Sequence, residues 1–401
     1  MNSAHRSQLC RAAIASIIAV TVSQLHLPAS AQPIDRKATD ISAIHHNADD
    51  PNAALQYWQA FGSLPVMSDK ERELVGAWQT APLDPATDKL VQSSAPALKQ
   101  LHRGSTCNHC DWGLNKEDSF DLRLPHLVKA RELVRVAFLR ARQRMGAGQN
   151  AAAIDDIIDA LVLARRVGAD DILIGILVQA SIEQMAVEAL APQLGAFSKE
   201  NLATLATRLA QLPPGGSVRG SVVWEHKYGL LSLISQLKAA STTPESAKPQ
   251  LVKLLGLPIE TIRAAGGTPE SLAENLEKLR PIYDQFPAAL DLPQEQARVK
   301  LIELKKQAQA NPLNSIVPDF TRFYDRYAAV QTRFLMLRAA IAILQDGPAQ
   351  LQKFPDPSSQ RPINYTPGKN GGFTLASTCT EEGKPVTLII GPAQPTPRPA
   401  P

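Results

Sequence analysis

The order of apolar and polar residues along the chain predicts a mostly helical protein. From residue 52 to residue 345, apolar side chains recur every three or four positions, the spacing of one face of an α-helix. The strongest example is "LPHLVKARELVRVAFLRARQRM" at 124–145, and the longest is "LNSIVPDFTRFYDRYAAVQTRFLMLRAAIAILQ" at 313–345. Prolines and glycines interrupt the pattern between helices. We therefore expect a mainly α fold, a multi-helix array of antiparallel helical hairpins over 51–346.

The period of the pattern changes after Gly347. Apolar and polar residues alternate through 353–378 around "GKNGG", in which Asn370 and Gly371 suit the tight turn of a β-hairpin. The stretch "KPVTLIIG" at 384–391 is suited to a third strand. We expect a small C-terminal β-hairpin segment, 347–391, packed on the helical domain.

Two internal features refine the helical domain. Segment 124–168 predicts two helices joined at a glycine, and Gly148, Ala153 and Ala160 fall where a tetratricopeptide hairpin has its small residues. Arg140 and Arg144 stand where that repeat has bulky side chains, and no second copy follows at a 34-residue offset, so a solenoid is not predicted. The break "LPPGG" at 212–216 marks a possible sub-boundary near 213–217.

The N-terminus predicts export. Residues 1–11 carry two arginines and no acid, an apolar run follows, and "ASA" at 29–31 suits signal-peptidase cleavage. We expect a signal peptide over 1–31, a flexible leader over 32–50 and a disordered proline-rich tail over 392–401. The apolar run is shorter than the roughly 20 residues of a membrane span. A retained anchor is the alternative, and no membrane span is expected after cleavage.

Charge and motifs exclude several function classes. Cleavage after Ala31 leaves 40 Lys and Arg against 38 Asp and Glu, which is too balanced to favour nucleic acid as a partner. The sequence holds no convincing nucleophile elbow, zinc-protease motif, P-loop or dinucleotide fingerprint. We therefore predict no catalytic or cofactor-binding residue from motifs.

Several segments together resemble a group of exported helical bacterial proteins for which no activity is established. They are "HCDWG" at 109–113, the helix at 124–144, the long late helix, and "FPDPSSQRPINYTPGKNGGFTLAS" at 354–377. The last is similar to a closing hairpin with the pattern DP-small-Gly-x-Pro and GGF, although Ser358, Ser359 and Gln360 replace the small-Gly pair and Ala376 replaces a commoner tyrosine. The resemblance implies the fold and export, and it implies no catalytic residue.

The loop "GSTCNHCDWG" at 104–113 holds the candidate chemistry. His102, Cys107, His109 and Cys110 have the ligand types that zinc prefers, although four ligands within nine residues require a tight knuckle. A redox role needs a helix that starts at the cysteine pair, and Gly113 makes that unfavourable. The haem reading fails because Asp111 stands where a histidine is required.

A structural disulfide is the interpretation we favour for this loop, since export favours disulfides. Cys107–Cys110 would close a very small ring, whereas Cys110–Cys379 would tie the loop to the C-terminal hairpin. The longer closure could contribute roughly 4–5 kcal/mol by chain entropy. The resemblance favours Cys110 as the constant partner, because it lies in "HCDWG".

Three charged groups complete the sequence-based candidates. A basic stripe of Arg131, Arg135 and Arg142 could bind an acidic partner, although such stripes are usually solvated. The acids of 155–159, Asp155, Asp156 and Asp159, suit a surface helix near its N-terminus. Glu225 and His226 form an acid–base pair in sequence, but neighbouring helical residues point about 100° apart, which disfavours a shared substrate.

Two functional hypotheses follow. The first is a non-enzymatic exported scaffold that binds a protein or a cell-envelope component, in the periplasm or outside the cell. The second is a metal- or thiol-dependent enzyme that uses the loop from His102 to Asp111.

Overall fold

The computed structural model describes residues 51–240, 252, 255–368 and 371–391, and these residues belong to one compact unit that begins at Asp49. The fold is mainly helical with a small antiparallel sheet at its C-terminal end, which confirms the predicted fold class. The predicted signal peptide, the whole of the predicted leader, and the tail lie outside the described residues.

Four short helices form the N-terminal part, and the first three begin at a side chain that caps the first turn. Asn52 and Ser68 accept hydrogen bonds from first-turn amides, with a complete capping box between Ser68 and Glu71. Asp84 caps the third helix, which begins with Pro85. The helices are α1 (Ala53–Ser63), α2 (Asp69–Gly76), α3 (Pro85–Ser93) and α4 (Ala95–Ser105).

A helical hairpin follows and becomes the centre of the first hydrophobic core. Its helices are α5 (Pro125–Gly146) and α6 (Asn150–Gly168), joined at Gly148, whose φ is 74°. Ala153 and Ala160 are both fully buried, so the small residues of the hairpin lie at its packing surface as the pattern predicts. Helices α7 (Leu173–Leu190) and α8 (Lys199–Ala210) complete this part.

Helix α6 is buried on nearly all sides and carries charged residues inward. Thirteen of its 19 residues are buried, including Asp156 and Asp159. The prediction that these two acids face solvent is therefore wrong. Asp156 accepts hydrogen bonds from Arg140 Nε at 3.0 Å and Arg144 Nη1 at 2.9 Å, so the arginines that break the tetratricopeptide pattern neutralise a buried carboxylate.

A second buried network joins α6 to α7 and to the 213–217 segment. Glu183 is fully buried, 2.7 Å from Arg165 Nε, and accepts a hydrogen bond from Gln179 Nε2. The Gln179 side-chain oxygen accepts from the Gly216 amide at 3.0 Å. A Cβ on Gly216 would lie 2.0 Å from the Gly168 carbonyl oxygen, so only glycine permits this approach.

A second hydrophobic cluster is built by the helices after the 213–217 segment. Its buried residues run from Val222 to Phe320. The predicted sub-boundary near 213–217 stays a prediction. The described residues on both sides of it belong to one compact unit. The helices are α9 (Val218–Trp224), α10 (Ser232–Ala239), α11 (Ile259–Ala264), α12 (Pro269–Glu277), α13 (Arg280–Tyr283), α14 (Phe286–Leu290) and α15 (Gln294–Ala308).

Helix α16 (Phe320–Asp346) connects both clusters to the sheet. The strands β1 (Asn364–Pro367), β2 (Phe373–Glu381) and β3 (Lys384–Ile390) form an antiparallel sheet in the order β1-β2-β3. The predicted hairpin is thus present with its third strand, and residues 369–370 of its turn lie outside the described residues. Pro367 pairs with Phe373, which fixes the register of the hairpin.

Asp356 fastens the segment before the sheet to β2. It is 1% exposed and accepts hydrogen bonds from Ser377 Oγ at 2.9 Å and the Thr378 amide at 2.8 Å. An ion pair between Arg333 and Glu381 joins α16 to the end of β2. The "DP" element of the C-terminal motif therefore joins the segment after α16 to β2.

The expectation that no later segment could span a membrane by length and composition is wrong. Leu173–Leu190 and Asn314–Asp346 are both long and apolar enough. However, 61% and 56% of their most apolar windows are buried inside the protein, as in the core helices of globular proteins. These helices are therefore weak grounds for a membrane span.

Replacing Asp156 by alanine should lower the free energy of unfolding by about 3–5 kcal/mol, because Arg140 and Arg144 lose their shared carboxylate in a buried setting. Asp155→Ala is the matched control. Its side chain is 51% exposed and pairs with Arg208 at the surface, so a loss of about 0–1 kcal/mol is expected. Urea denaturation measures both variants, and equal small losses would contradict the role of Asp156 in holding α5 on α6.

Candidate functional site

The cysteine loop after α4 is held by main-chain hydrogen bonds to α1 and α6. The His109 carbonyl accepts from the Ala53 amide at 2.8 Å, and Asn52 exchanges two hydrogen bonds with the Asp111 backbone. Arg166 Nη2 donates to the Cys107 and Asn108 carbonyls at 3.0 and 2.7 Å. These hydrogen bonds hold the backbone of the loop in place, so its side chains are not needed to anchor it.

The aromatic residue of the loop packs in a cluster of rings. Trp112 is 7% exposed, stacks on His126 with ring centroids 4.5 Å apart, and donates from Nε1 to the Arg166 carbonyl. Tyr57 and Phe61 flank the same indole at 5.7 and 6.3 Å. Burial lowers the pKa of His126 to about 4, so this imidazole is neutral near pH 7. The cluster stabilises the fold and presents no reactive histidine.

The four candidate zinc ligands do not converge. His102 Nδ1 lies 2.9 Å from Asp159 Oδ2, while the His109 side chain is exposed. Within the described ranges, no group of three or more His, Cys, Asp or Glu side chains could hold a metal ion. Asp159 also accepts a hydrogen bond from Ser105 Oγ at 2.5 Å. His102, one of the four ligands in the zinc hypothesis, is therefore paired with a carboxylate of α6.

The predicted disulfide is not found. Among the described cysteines, Cys107, Cys110 and Cys379, no two lie at disulfide distance. Cys379 lies on β2, where its sulfur accepts a hydrogen bond from Gln294 Nε2 at 3.0 Å, whereas Cys110 lies in the loop beside α1 and α6. The two residues are thus held by different partners, which a sequence-based pairing could not anticipate.

The thiols of Cys110 and Cys379 are poor nucleophiles. Burial raises the pKa of the Cys110 thiol to about 12, with a smaller opposing effect of Arg166. Burial also raises the pKa of Cys379. A thiolate is the reactive form, and it is disfavoured at both positions.

A seven-residue π-helix, Glu225–Leu231, lies between α9 and α10 and was not predicted. Such turns are rare and occur frequently at functional sites. Burial raises the pKa of the Glu225 carboxyl to about 7, and no described residue hydrogen-bonds to it. His226 turns its ring toward Tyr283, with centroids 5.4 Å apart, and its Nδ1 lies 3.6 Å from Asp284 Oδ1.

The π-helix carries a carboxyl that can exchange a proton near neutral pH. A carboxyl that titrates near neutral pH suits acid–base chemistry. However, His226 Nε2 and Trp224 Nε1 are buried atoms without hydrogen-bond partners among the described residues. The sequence-based objection to a shared substrate stays a prediction, and these unpaired buried atoms make the π-helix a local source of instability.

A groove between α2 and α5 is the most open candidate for binding. We call it the arginine groove; its volume is about 360 Å³ and its lining is Met67, Arg72, Val75, Val128, Arg131, Glu132 and Arg135. Arg72 pairs with Asp69, and Glu132 pairs with Lys129 at 3.1 Å. Arg131 and Arg135 have no ion pair with any described residue, so the groove carries net positive charge.

The basic stripe of α5 thus divides into two parts. Arg142 donates to the Trp78 and Ala81 carbonyls and so fixes the backbone between α2 and α3. Arg131 and Arg135 face the groove, where burial and the neighbouring Arg131 lower the pKa of Arg135. The sequence showed the α5 arginines but could not show that Arg72 of α2 lies opposite them.

The fold is that of a mainly helical protein with an open basic groove on its surface. The chain matches no protein-family model, no curated protein and no solved structure in the three comparisons. The resemblance to exported helical bacterial proteins therefore stays a prediction.

Alkylation kinetics test whether the cysteine loop is reactive. With a pKa near 12, Cys110 should react with iodoacetamide at pH 8 at least about 100-fold more slowly than an ordinary exposed thiol, because the thiolate fraction falls tenfold per pKa unit. Mass spectrometry of the native protein and of a urea-unfolded control measures both rates. Rapid native labelling of Cys110 would instead support a thiol-dependent activity.

The pH dependence of stability tests the environment of Glu225. Its folded pKa of about 7 exceeds the ordinary value of 4.5, so the folded state binds more protons and stability falls as pH rises from 4.5 through 7. Glu225→Gln should leave stability nearly unchanged at pH 5 and raise it by up to about 3 kcal/mol at pH 8.5. Urea denaturation at both pH values measures this.

Glu274→Gln, at an exposed position of α12, is the matched control for Glu225→Gln. It should be neutral at both pH values. An identical pH profile for the two variants would show that Glu225 is ordinarily solvated in the folded protein.

Proposed function

We propose that this chain is an exported, non-enzymatic helical protein that binds an acidic, partly apolar segment of another protein in the arginine groove. The observation that supports this most directly is the pair Arg131 and Arg135, which lines an open cavity and forms no ion pair with any described residue. Guanidinium groups form strong charge-assisted hydrogen bonds with carboxylates. A partner with Asp or Glu side chains would supply carboxylates that pair with Arg131 and Arg135.

Apolar residues of the groove favour a peptide segment over a simple anion. Val128 is 64% exposed at the edge of the cavity, and Met67 and Val75 form its floor. Val66, which precedes the floor residue Met67, is fully exposed. Aliphatic side chains next to paired guanidiniums suit a segment that alternates acidic and apolar residues.

The concave shape favours a protein partner over an anionic membrane surface. The cavity of about 360 Å³ lies between two helices, so it can enclose side chains of a bound segment. A flat lipid surface would contact the helix edges and leave this space unfilled.

A defined peptide pair tests the proposal with the full chain. One peptide carries glutamate and leucine at helical spacing, and its partner carries lysine in place of each glutamate. Fluorescence anisotropy should detect binding of the glutamate peptide, and Arg131→Gln with Arg135→Gln should weaken it about tenfold or more, since charged hydrogen bonds contribute about 1.5–3 kcal/mol each. Lipid vesicles with anionic headgroups serve as the competing ligand.

The control variant is Arg263→Gln with Arg338→Gln, which removes the same charge from two other exposed positions. It should bind the glutamate peptide like the unaltered chain. Equal binding of both peptides, equal weakening by both double variants, or groove-dependent binding of the vesicles alone would contradict the proposal.

A photo-cross-linker in place of Val128, applied to the exported fraction of the producing cell, identifies the natural partner. Val299 on α15 has the same 64% exposure and is the matched control position. Cross-links from Val128 that are absent from Val299 should map to acidic segments. Absence of the protein from the exported fraction would overturn the export part of the proposal.

A further inference from the structure

A second groove lies at the other end of α5, close to where the described chain ends. We call it the tail groove; its volume is about 300 Å³, and its lining includes Trp78, Leu83, Met145, Glu188 and Pro192. Leu83 is 46% exposed although it belongs to an apolar wall. The groove is independent of the arginine groove, because none of its lining residues is shared.

The walls of the tail groove are rigid. Trp78 packs against Phe138 with ring centroids 5.0 Å apart, and Arg142 Nη1 donates to the Trp78 carbonyl. Glu188 accepts from Gln79 and from Gln184 Nε2, so its carboxylate is held in place at the rim. A preformed surface of this kind binds a stiff ligand with little loss of entropy.

The chain itself leads into this groove. β3 ends at Ile390, which is 1% exposed, and a Cβ on Gly391 would lie 3.7 Å from the carbonyl oxygen of Pro192, a lining residue. The ten residues that follow are "PAQPTPRPAP", with five prolines and one arginine. At about 3.1 Å per residue, an extended polyproline segment of this length reaches about 30 Å.

We propose that the proline-rich tail, residues 392–401, binds in the tail groove of its own chain. Proline-rich segments dock in grooves with apolar walls; Leu83 and Met145 supply accessible apolar side chains here, while Trp78 is 5% exposed. Arg398 of the tail supplies a positive charge for Glu188, which has no cationic partner among the described residues.

A competition experiment with the full chain tests the proposal. The probe is a labelled synthetic peptide of residues 392–401. In the unaltered chain the tethered tail competes at an effective concentration in the millimolar range, so the probe should bind about tenfold more weakly than to a chain with Pro395→Gly, Pro397→Gly and Pro399→Gly. Equal binding to both chains, or no binding to either, would overturn the proposal.

Two groove variants in the proline-to-glycine chain locate the binding site. Leu83→Asp should abolish probe binding, and Leu55→Asp, at a 61% exposed position of α1, should leave it unchanged. Glu188→Arg should also weaken binding, and a probe with Arg398→Glu should restore it. The pair of Glu188→Arg in the chain and Arg398→Glu in the probe still locates the site if Leu83→Asp lowers the melting temperature of the protein.

A photo-cross-linker in place of Thr396 in the full chain distinguishes the occupants. Cross-links within one chain to 78–83 or 188–193 are expected. Cross-links between two copies, or to other surfaces, would overturn binding of the tail to its own chain.

Discussion

The structure depends on one constraint: a nearly fully buried helix, α6, carries charged side chains into the core. An unpaired buried charge is strongly unfavourable, so each such residue must have a partner on a neighbouring element. Asp156 accepts hydrogen bonds from Arg140 and Arg144 of α5. Asp159 contacts His102 and Ser105 of α4 through its two carboxylate oxygens. Glu183 on α7 forms an ion pair with Arg165. These pairings place the helices around α6 in one arrangement, and the surface grooves follow from it.

Helix α5 shows how that arrangement separates residues that look alike in sequence. Its arginines fall into a half-buried pair that neutralises Asp156, a clamp on the backbone at 78–81, and a pair that faces open space. The clamp forms a wall of the tail groove, and the open pair forms a wall of the arginine groove. One helix therefore carries arginines that neutralise a buried carboxylate and, elsewhere along its length, arginines that line an open groove.

The cysteine loop carries a conspicuous motif, and the structure uses that motif for packing. The backbone of "HCDWG" is fixed by Asn52, Ala53 and Arg166, and its tryptophan is enclosed by aromatic rings. Burial keeps the Cys110 thiol protonated, and Asp159 holds His102. The sequence places four side chains of zinc-ligand type close together in the loop. Metal binding also requires that their ligand atoms meet at one point and that the thiol loses its proton, and both conditions depend on residues far away in the chain.

The sequence by itself determined the elements and their boundaries: the helical period, the caps at Asn52, Ser68 and Asp84, the hairpin at Gly148 and the change to strands after Gly347. These features are local, because each is set by residues within a few positions of one another. Only the tertiary structure decided which acids are buried, that 225–231 form a π-helix, and that Arg72 lies opposite Arg131. Those outcomes depend on the desolvation and pairing of groups far apart in the chain, which no local pattern records.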